Sequence, residues 1–402
     1  MSSTPRSDAP GHAEPARAPR SSFVVFGQPD IGEEEIAEVV DTLRSGWLGT
    51  GPKTKRFEAE FADYVGARHA IGVNSCTAAL HLSLLALGVG PGDEVITTPM
   101  TFAATLNVIL HVGARPVLVD IDPLTQNIDP ENIESAITAR TRAIIPVHMA
   151  GRPCDMDAIG DIAARRGLAV IEDAAHAIGA SWRGRKIGSI SPLTAFSFYV
   201  TKNLVTGEGG MVTTDDDALA EDLRVRSLHG LSRDAWKRYT DAGFQPYDVV
   251  MPGWKYNLTD IQSSLGIHQL HRVEQNLVRR TEIWQRYTAA FEGLSGIAVP
   301  LSVEDGVHAR HLYSVLVDPL VQKRDALMQD LRQRNVGTGV HFVAAHLYSY
   351  FRSVLGYERG AFPHAEFISD RTISLPLSSK LTDGDVDDVI GAVSEAMSRK
   401  DG

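Results

Sequence analysis

From about residue 69 the chain repeats one pattern: a short apolar, β-rich run followed by a stretch with apolar residues at helical spacing. HAIGV precedes TAALHLSLLALG, EVITTP precedes a helix near 102–112, and RPVLVDID precedes one near 130–138. RAIIPVHM precedes a helix near 155–166, and LAVIED and AFSFYV close the series. Near-continuous apolar strands separated by helices predict an α/β domain with a mostly parallel sheet covered on both faces. In such sheets ligands sit beyond the carboxyl ends of the strands. Past about residue 258 the pattern changes to long helices near 258–270 and 274–293, then the strand LYSVLV and further helices. The last helix places Val386, Val389, Ile390, Val393 and Met397 on one stripe, with Thr382 as its N-cap. The expected organisation is a tail over 1–22, a large domain over 23–270 and a smaller C-terminal α/β domain over 271–402.

Composition narrows the function classes. With 402 residues, 43% apolar and 22% charged, the chain has enough sequence for a large core and a second, smaller one. A formal charge of −11 argues against non-specific nucleic-acid binding, which requires basic surface. The two cysteines, Cys76 and Cys154, form no CxxC pair. Neither a disulfide framework nor a metal site is expected, and a reducing cytoplasm is the expected location. No apolar run is long enough to span a membrane. The first 22 residues carry four prolines and no apolar signal-peptide core, and read as a disordered tail.

Four features fall at strand ends. VNSCTAAL (73–80) is a strand-to-helix turn whose unpaired N–H groups suit a phosphate, although taken alone a simple N-cap is the plainer explanation. Phe102 opens the next helix, where an aromatic ring can stack on a flat cofactor or pack in the core. In AVIEDAAHAIGA (169–180), Asp173 and His176 stand three residues apart at the end of a buried strand. A carboxylate there can hold a cationic ring nitrogen or make a structural ion pair. In TAFSFYVTKNLVTGEGGMVTTD (194–215), the apolar run leads through Thr201 to Lys202, with Ser197 on the same strand and Asn203 following. A desolvated lysine is the usual route to a Schiff base, and a surface lysine in a turn is the plain alternative. Together the four compose a phosphate cradle, an aromatic stack, a ring-nitrogen partner and a Schiff-base lysine, the inventory of a pyridoxal phosphate site. Two other classes fail on motif. No GxGxxG opens a helix after the first strand, and Tyr199 stands three residues before Lys202, not the four of a short-chain reductase.

From SGWLGTGP (45–52) to SLPLSSKLTDGD (374–385) the sequence resembles the DegT/DnrJ/EryC1/StrS sugar aminotransferases, of the type I aspartate aminotransferase fold. The matching blocks include GPGDEVITTPMTF, PVLVDIDP, VIEDAAHAIGA, FSFYVTKN, EGGMVTTDD and WKYNLTDIQSSLG. HGLSRDAWKR and GTGVHFVAAHLYSYF look most like the branch making UDP-4-amino-4-deoxy-L-arabinose. The resemblance implies that Lys202 carries pyridoxal phosphate, that Asp173 pairs with the pyridine nitrogen, and that His176 lies near the ring under a Phe102 stack. It gives the phosphate to Cys76, Thr77, Ala78 and Ser197, and to Asn257 of a partner subunit, hence a homodimer with shared sites. Cys76 departs from the family's frequent glycine. His176 matches the 4-aminotransferases, where 3-aminotransferases often carry glutamine, and Lys202 argues against the dehydratase branch in which histidine replaces the lysine. The implied activity is transfer of an amine, from L-glutamate with 2-oxoglutarate leaving, to a UDP- or dTDP-linked 4-keto sugar. Pyridoxamine phosphate is the intermediate form of the cofactor. A 3-aminotransferase or a non-catalytic, regulatory pyridoxal phosphate binder is the alternative, and the tail is too short to supply a DNA-binding domain. For the sugar nucleotide, Trp47 and Thr50 in SGWLGTG, Arg233 and Lys237, and His341 and His346 are the candidates; a solvated helix face explains the basic pair as well, and a core position the histidines.

Overall fold

The computed structural model describes residues 20–232 and 248–398. Among these residues thirteen strands are interspersed with helices: β1 (His69–Val73), β2 (Glu94–Thr97), β3 (Arg115–Leu118), β4 (Thr141–Ile144), β5 (Ala169–Asp173), β6 (Ser181–Trp182), β7 (Arg185–Lys186), β8 (Leu193–Ser197), β9 (Gly210–Thr214), β10 (Ile297–Ala298), β11 (Gly306–Val307), β12 (Tyr313–Val317) and β13 (Thr372–Leu375). Seven form one sheet in the order β1-β9-β8-β5-β4-β2-β3. The pairs from β8 through β3 are parallel, while β9 runs antiparallel to both β8 and β1. The expected mostly parallel sheet is therefore present, with one reversed strand.

Strands buried on both faces explain the unbroken apolar runs. On one face the helix Cys76–Ala86 is buried continuously from Ala78 to Leu84, because it lies over the sheet and under other helices. On the other face Phe57, Phe61, Phe196 and Phe198 pack with ring centroids 5.1–6.0 Å apart. Each such buried ring contributes roughly 1.5–3 kcal/mol.

A second sheet, β10-β12-β13, is entirely antiparallel. The helices Val273–Phe291, Arg324–Gln333 and Asp383–Ser398 pack on it around Tyr287, Tyr313 and Val389. Thr382 caps the last helix as expected: its hydroxyl accepts from the Asp385 N–H at 3.1 Å, while the Asp385 carboxylate accepts from the Thr382 N–H at 2.9 Å. Val24 joins this core through a bridge to Val336. Most of the expected tail, residues 1–19, lies outside the described residues. Arg20 is held by ion pairs to Asp385 and Asp388 at 2.5 and 3.0 Å. A further apolar cluster, with Met100, Leu106, Met149, Ala345 and Phe351, joins the large sheet's helices to the C-terminal segments. Among the described residues no helix is long and apolar enough to cross a membrane.

One expected strand is shorter than its sequence pattern. AFSFYV pairs in the sheet only to Ser197, after which the chain turns and Lys202 donates its N–H to the Tyr199 carbonyl at 2.9 Å. Phe198 remains fully buried against Phe57 and Phe61, whereas Tyr199 is 44% exposed. The apolar run tracks burial past the point where sheet pairing stops.

Candidate active site

A cleft of about 510 Å³ opens beyond the carboxyl ends of β5 and β8. Its walls include Cys76, Thr77, Phe102, Asp173, His176, Ser197 and Lys202 from the large sheet. Phe26, His311, His341 and Phe342 close it from the other side.

Each side chain arrives for a local reason. Ser75 is extended (φ −169°, ψ 157°) and caps the helix Cys76–Ala86 by accepting the Ala78 N–H at 3.1 Å. The cap occupies Ala78 and leaves the Cys76 and Thr77 N–H groups at the positive end of the helix, where an anion is favoured. Gly210, the first residue of β9, passes directly behind this turn. A Cβ there would lie 2.6 Å from the Ser75 carbonyl carbon and 2.7 Å from the Cys76 nitrogen, so only glycine lets strand and helix meet. Burial pushes the Cys76 thiol well above its ordinary pKa, so the side chain stays a protonated thiol beside the turn.

Asp173 ends β5 with its carboxylate buried. Thr105 donates its hydroxyl to Oδ2 at 2.8 Å and the Ala175 N–H donates to Oδ1 at 3.2 Å. Burial raises the carboxyl pKa above the usual range, opposed by those two hydrogen bonds and by the nearby Lys202. Burial likewise lowers the Lys202 ammonium to about 8, while Cys76 and Asp173 act in the other direction. A lysine near 8 holds a usable fraction of free amine at neutral pH. His176 is buried, and its Nδ1 has no hydrogen-bond partner among the described residues. Burial, then Lys202 and His341, holds its pKa well below the ordinary histidine value. Phe102 caps the neighbouring helix at 64% exposure, a ring face presented at the rim of the cleft. The Ser197 hydroxyl also lines it, 3.5 Å from the Tyr199 N–H.

Other expected residues stand elsewhere. Asn257 donates to the Thr50 hydroxyl at 2.6 Å, and both line a separate cavity of about 980 Å³ with Lys55, Glu58 and Arg224. Trp47 lies beside it, its indole N–H donating to the Thr50 carbonyl at 3.1 Å. His341 does face the cleft, and burial lowers its pKa to about 4. His346 does not: it is fully buried with Nε2 2.9 Å from Glu366 Oε1, a core position. Arg233 and Lys237 lie outside the described residues. Sequence reasoning passed over Thr105, His311, Phe26 and Phe342. Thr105 is legible as the fourth residue of the Phe102 helix, on its sheet-facing side, whereas the others come from segments with no periodic signal.

A buried carboxylate, a desolvated amine and a helix N-terminus around one cleft match a flat cationic heterocycle that bears a carbonyl and an anionic tail. On this fold they define a pyridoxal phosphate-dependent aminotransferase. The chain belongs to the DegT/DnrJ/EryC1/StrS aminotransferase family, whose model matches residues 29–394. It is 51% identical over 385 residues to the Bacillus subtilis spore coat polysaccharide biosynthesis protein SpsC, covering 95% of this chain and 99% of that protein. A Streptococcus pneumoniae sugar aminotransferase, Spr1654, was solved in pyridoxal phosphate and pyridoxamine phosphate forms. The latter form superposes with a TM-score of 0.87 at 38% identity, over 93% of this chain and 98% of that one. Helicobacter pylori PseC, an aminotransferase of pseudoaminic acid biosynthesis, gives 0.87 at 27% identity over 94% and 99%. The protein is a sugar aminotransferase that uses pyridoxal phosphate.

Proposed function

We propose that the protein transfers the amino group of L-glutamate to C4 of a UDP- or dTDP-linked 4-keto sugar, as a homodimer with shared active sites in the cytoplasm. The observation that carries the reading is the Lys202 amine, lowered to about 8 in the same cleft as the buried Asp173 carboxylate. Lys202 holds the cofactor between turnovers. Once displaced, its free amine removes the proton from Cα of the amino donor as a base, and returns one as an acid in the second half of the cycle. When bound, pyridoxal phosphate supplies the electron sink that takes up the pair left at that carbon. Asp173, fixed by Thr105, keeps a proton on the ring nitrogen. Cys76 and Thr77 N–H groups and Ser197 hold the phosphate, and Phe102 covers the ring. Asn257, which lines the separate cavity beside Thr50 and not the cleft, serves the partner's phosphate.

The sugar side is supported by two relatives whose names place them in polysaccharide and pseudoaminic acid biosynthesis. His176 favours amination at C4 by the family resemblance, and a nucleotide carrier supplies the anion that the loops around Trp47 and Thr50 would meet. The test is incubation with glutamate and a panel of UDP- and dTDP-linked 3-keto and 4-keto sugars, followed by mass spectrometry. A 4-keto sugar is expected to gain an amine. Amination of 3-keto sugars alone would move the reaction to C3, and amination of none would overturn the reading.

A further inference from the structure

His311 has no part in the assignments above, yet it is one of the residues nearest the chemistry. It is buried, lines the cleft, and its ring lies 4.4 Å from that of His176 at an angle of 37°. It reaches the cleft because its segment is pinned to the turn after β4. The Ala309 N–H donates to the Gly151 carbonyl at 2.9 Å, and the His311 N–H donates to the Ala150 carbonyl at 3.1 Å.

The hydrogen bonds around His311 fix its tautomer. Asn203, the residue after Lys202, has its Nδ2 2.6 Å from the Ala309 carbonyl. A carbonyl oxygen only accepts, so that side of the amide is the NH₂ group and its Oδ1 faces His311. Oδ1 lies 3.1 Å from His311 Nδ1 and can only accept, so Nδ1 carries the proton. Nε2 then holds a lone pair, the one polar atom of the ring left to meet a ligand. The charged and titratable groups that act on the ring, His176, Lys202, Arg280 and His341, all disfavour the imidazolium. Burial and these neighbours keep the imidazole neutral.

A neutral acceptor has no attraction for a phosphate, and it is suited to an O–H donor. Phe26, Phe102 and Phe342 offer apolar surface around it for the C–H faces of a sugar ring. We propose that His311 reads the sugar: its Nε2 accepts a hydrogen bond from a sugar hydroxyl beside the reacting carbon, and Asn203 is the positioning residue that fixes its tautomer. This rests on the keto-sugar reading above.

The two half-reactions separate the outcomes. With the holoenzyme, glutamate and keto-sugar half-reactions are followed by cofactor absorbance in wild type, His311→Leu and Asn203→Asp. His311→Leu removes the acceptor and is expected to lower kcat/KM for the keto sugar roughly 10–100-fold, with the glutamate half-reaction within about 3-fold of wild type. Asn203→Asp places a carboxylate on Nδ1, which favours the imidazolium and turns Nε2 into a donor. Its keto-sugar rate should acquire an acidic limb between about pH 5 and 8 that wild type lacks, a change that loss of packing alone would not produce. Imidazole ¹⁵N shifts, with His311 assigned by its loss in His311→Leu, should show Nε2 unprotonated in wild type. Equal losses in both half-reactions, a protonated Nε2, or an unchanged pH profile in Asn203→Asp would each overturn the proposal. If wild type itself aminates no keto sugar, the functional reading fails instead.

Discussion

The Thr105 hydroxyl donates to Asp173 Oδ2 at 2.8 Å, and the Thr101 hydroxyl lies 2.7 Å from that of Thr105, all of it buried. The first turn of one helix thus holds the carboxylate at the end of another element's strand. Thr105→Val keeps the shape and removes the donor. A hydrogen bond to a charged acceptor contributes about 1.5–3 kcal/mol. Stopped-flow absorbance should show the glutamate half-reaction slowed roughly 10–100-fold with cofactor still bound. Asp173→Asn should lose more, and near-normal rates in Asp173→Asn would remove its assigned role.

Lys202 makes stability depend on pH in the cofactor-free protein. Its folded pKa of about 8 lies below the ordinary 10.5, so between these values the unfolded chain binds a proton that the folded chain does not. Stability therefore rises with pH across that window, and the full cost of the buried amine is felt below about pH 8. Lys202→Met should be more stable than wild type at pH 7, by up to about 3 kcal/mol, with the gap closing toward pH 10. Urea titrations at several pH values measure it, and a gap independent of pH contradicts it. The same variant should lack transamination, and borohydride reduction of wild-type holoenzyme should attach the cofactor to Lys202.

Behind Asp173, on the opposite face of β5, Glu172 and His148 are both fully buried, with Nε2 and Oε2 2.8 Å apart. His148 Nδ1 accepts the Cys154 N–H at 3.0 Å, which leaves Nε2 as the nitrogen that donates to the carboxylate. The Ser191 N–H and the Thr194 hydroxyl complete the shell of Glu172. His148→Leu strands part of a buried carboxylate and should destabilise the fold by about 3–5 kcal/mol in chemical denaturation. His148→Gln retains a donor and should recover part of that loss.

Shared sites are testable by mixing. Subunits carrying Lys202→Ala and subunits carrying Asn257→Asp should each be impaired alone, the second because a carboxylate replaces a phosphate donor. A mixed dimer would contain one intact site, so co-refolding should restore activity above the sum of the parents. No gain, with mixed dimers demonstrated by tagging, would mean that Asn257 does not act across an interface.

Much of the site was legible because strand ends in a parallel sheet converge. Asp173, Lys202, Ser197 and the 75–77 turn could be placed together from periodicity and burial alone. The limits were physical. AFSFYV reported burial, and Phe198 stays buried one residue beyond the end of β8, its N–H donating to the Gly209 carbonyl at 2.9 Å, so the run overstated the regular strand. HFVAAH offered two histidines at apolar spacing, and only contacts 20 residues away distinguish the cleft-facing His341 from His346, which binds Glu366. His311 sits in a polar stretch that carries no periodic signal, and only its partner Asn203, 108 residues earlier, reveals its role.

The reversed strand has a consequence for how the molecule is made. On the ribosome, β1 and the 75–77 turn emerge early, but the one strand partner of β1 in the sheet is β9, whose Gly210 also backs that turn. At 5–20 residues per second, β1 waits roughly 7–28 seconds for β9. During that interval an apolar edge is open and the anion cradle has no rear wall. Lys202 and Gly210 both follow β1 by more than a hundred residues, so the cradle and the amine it faces come together only after most of the large sheet has been synthesised.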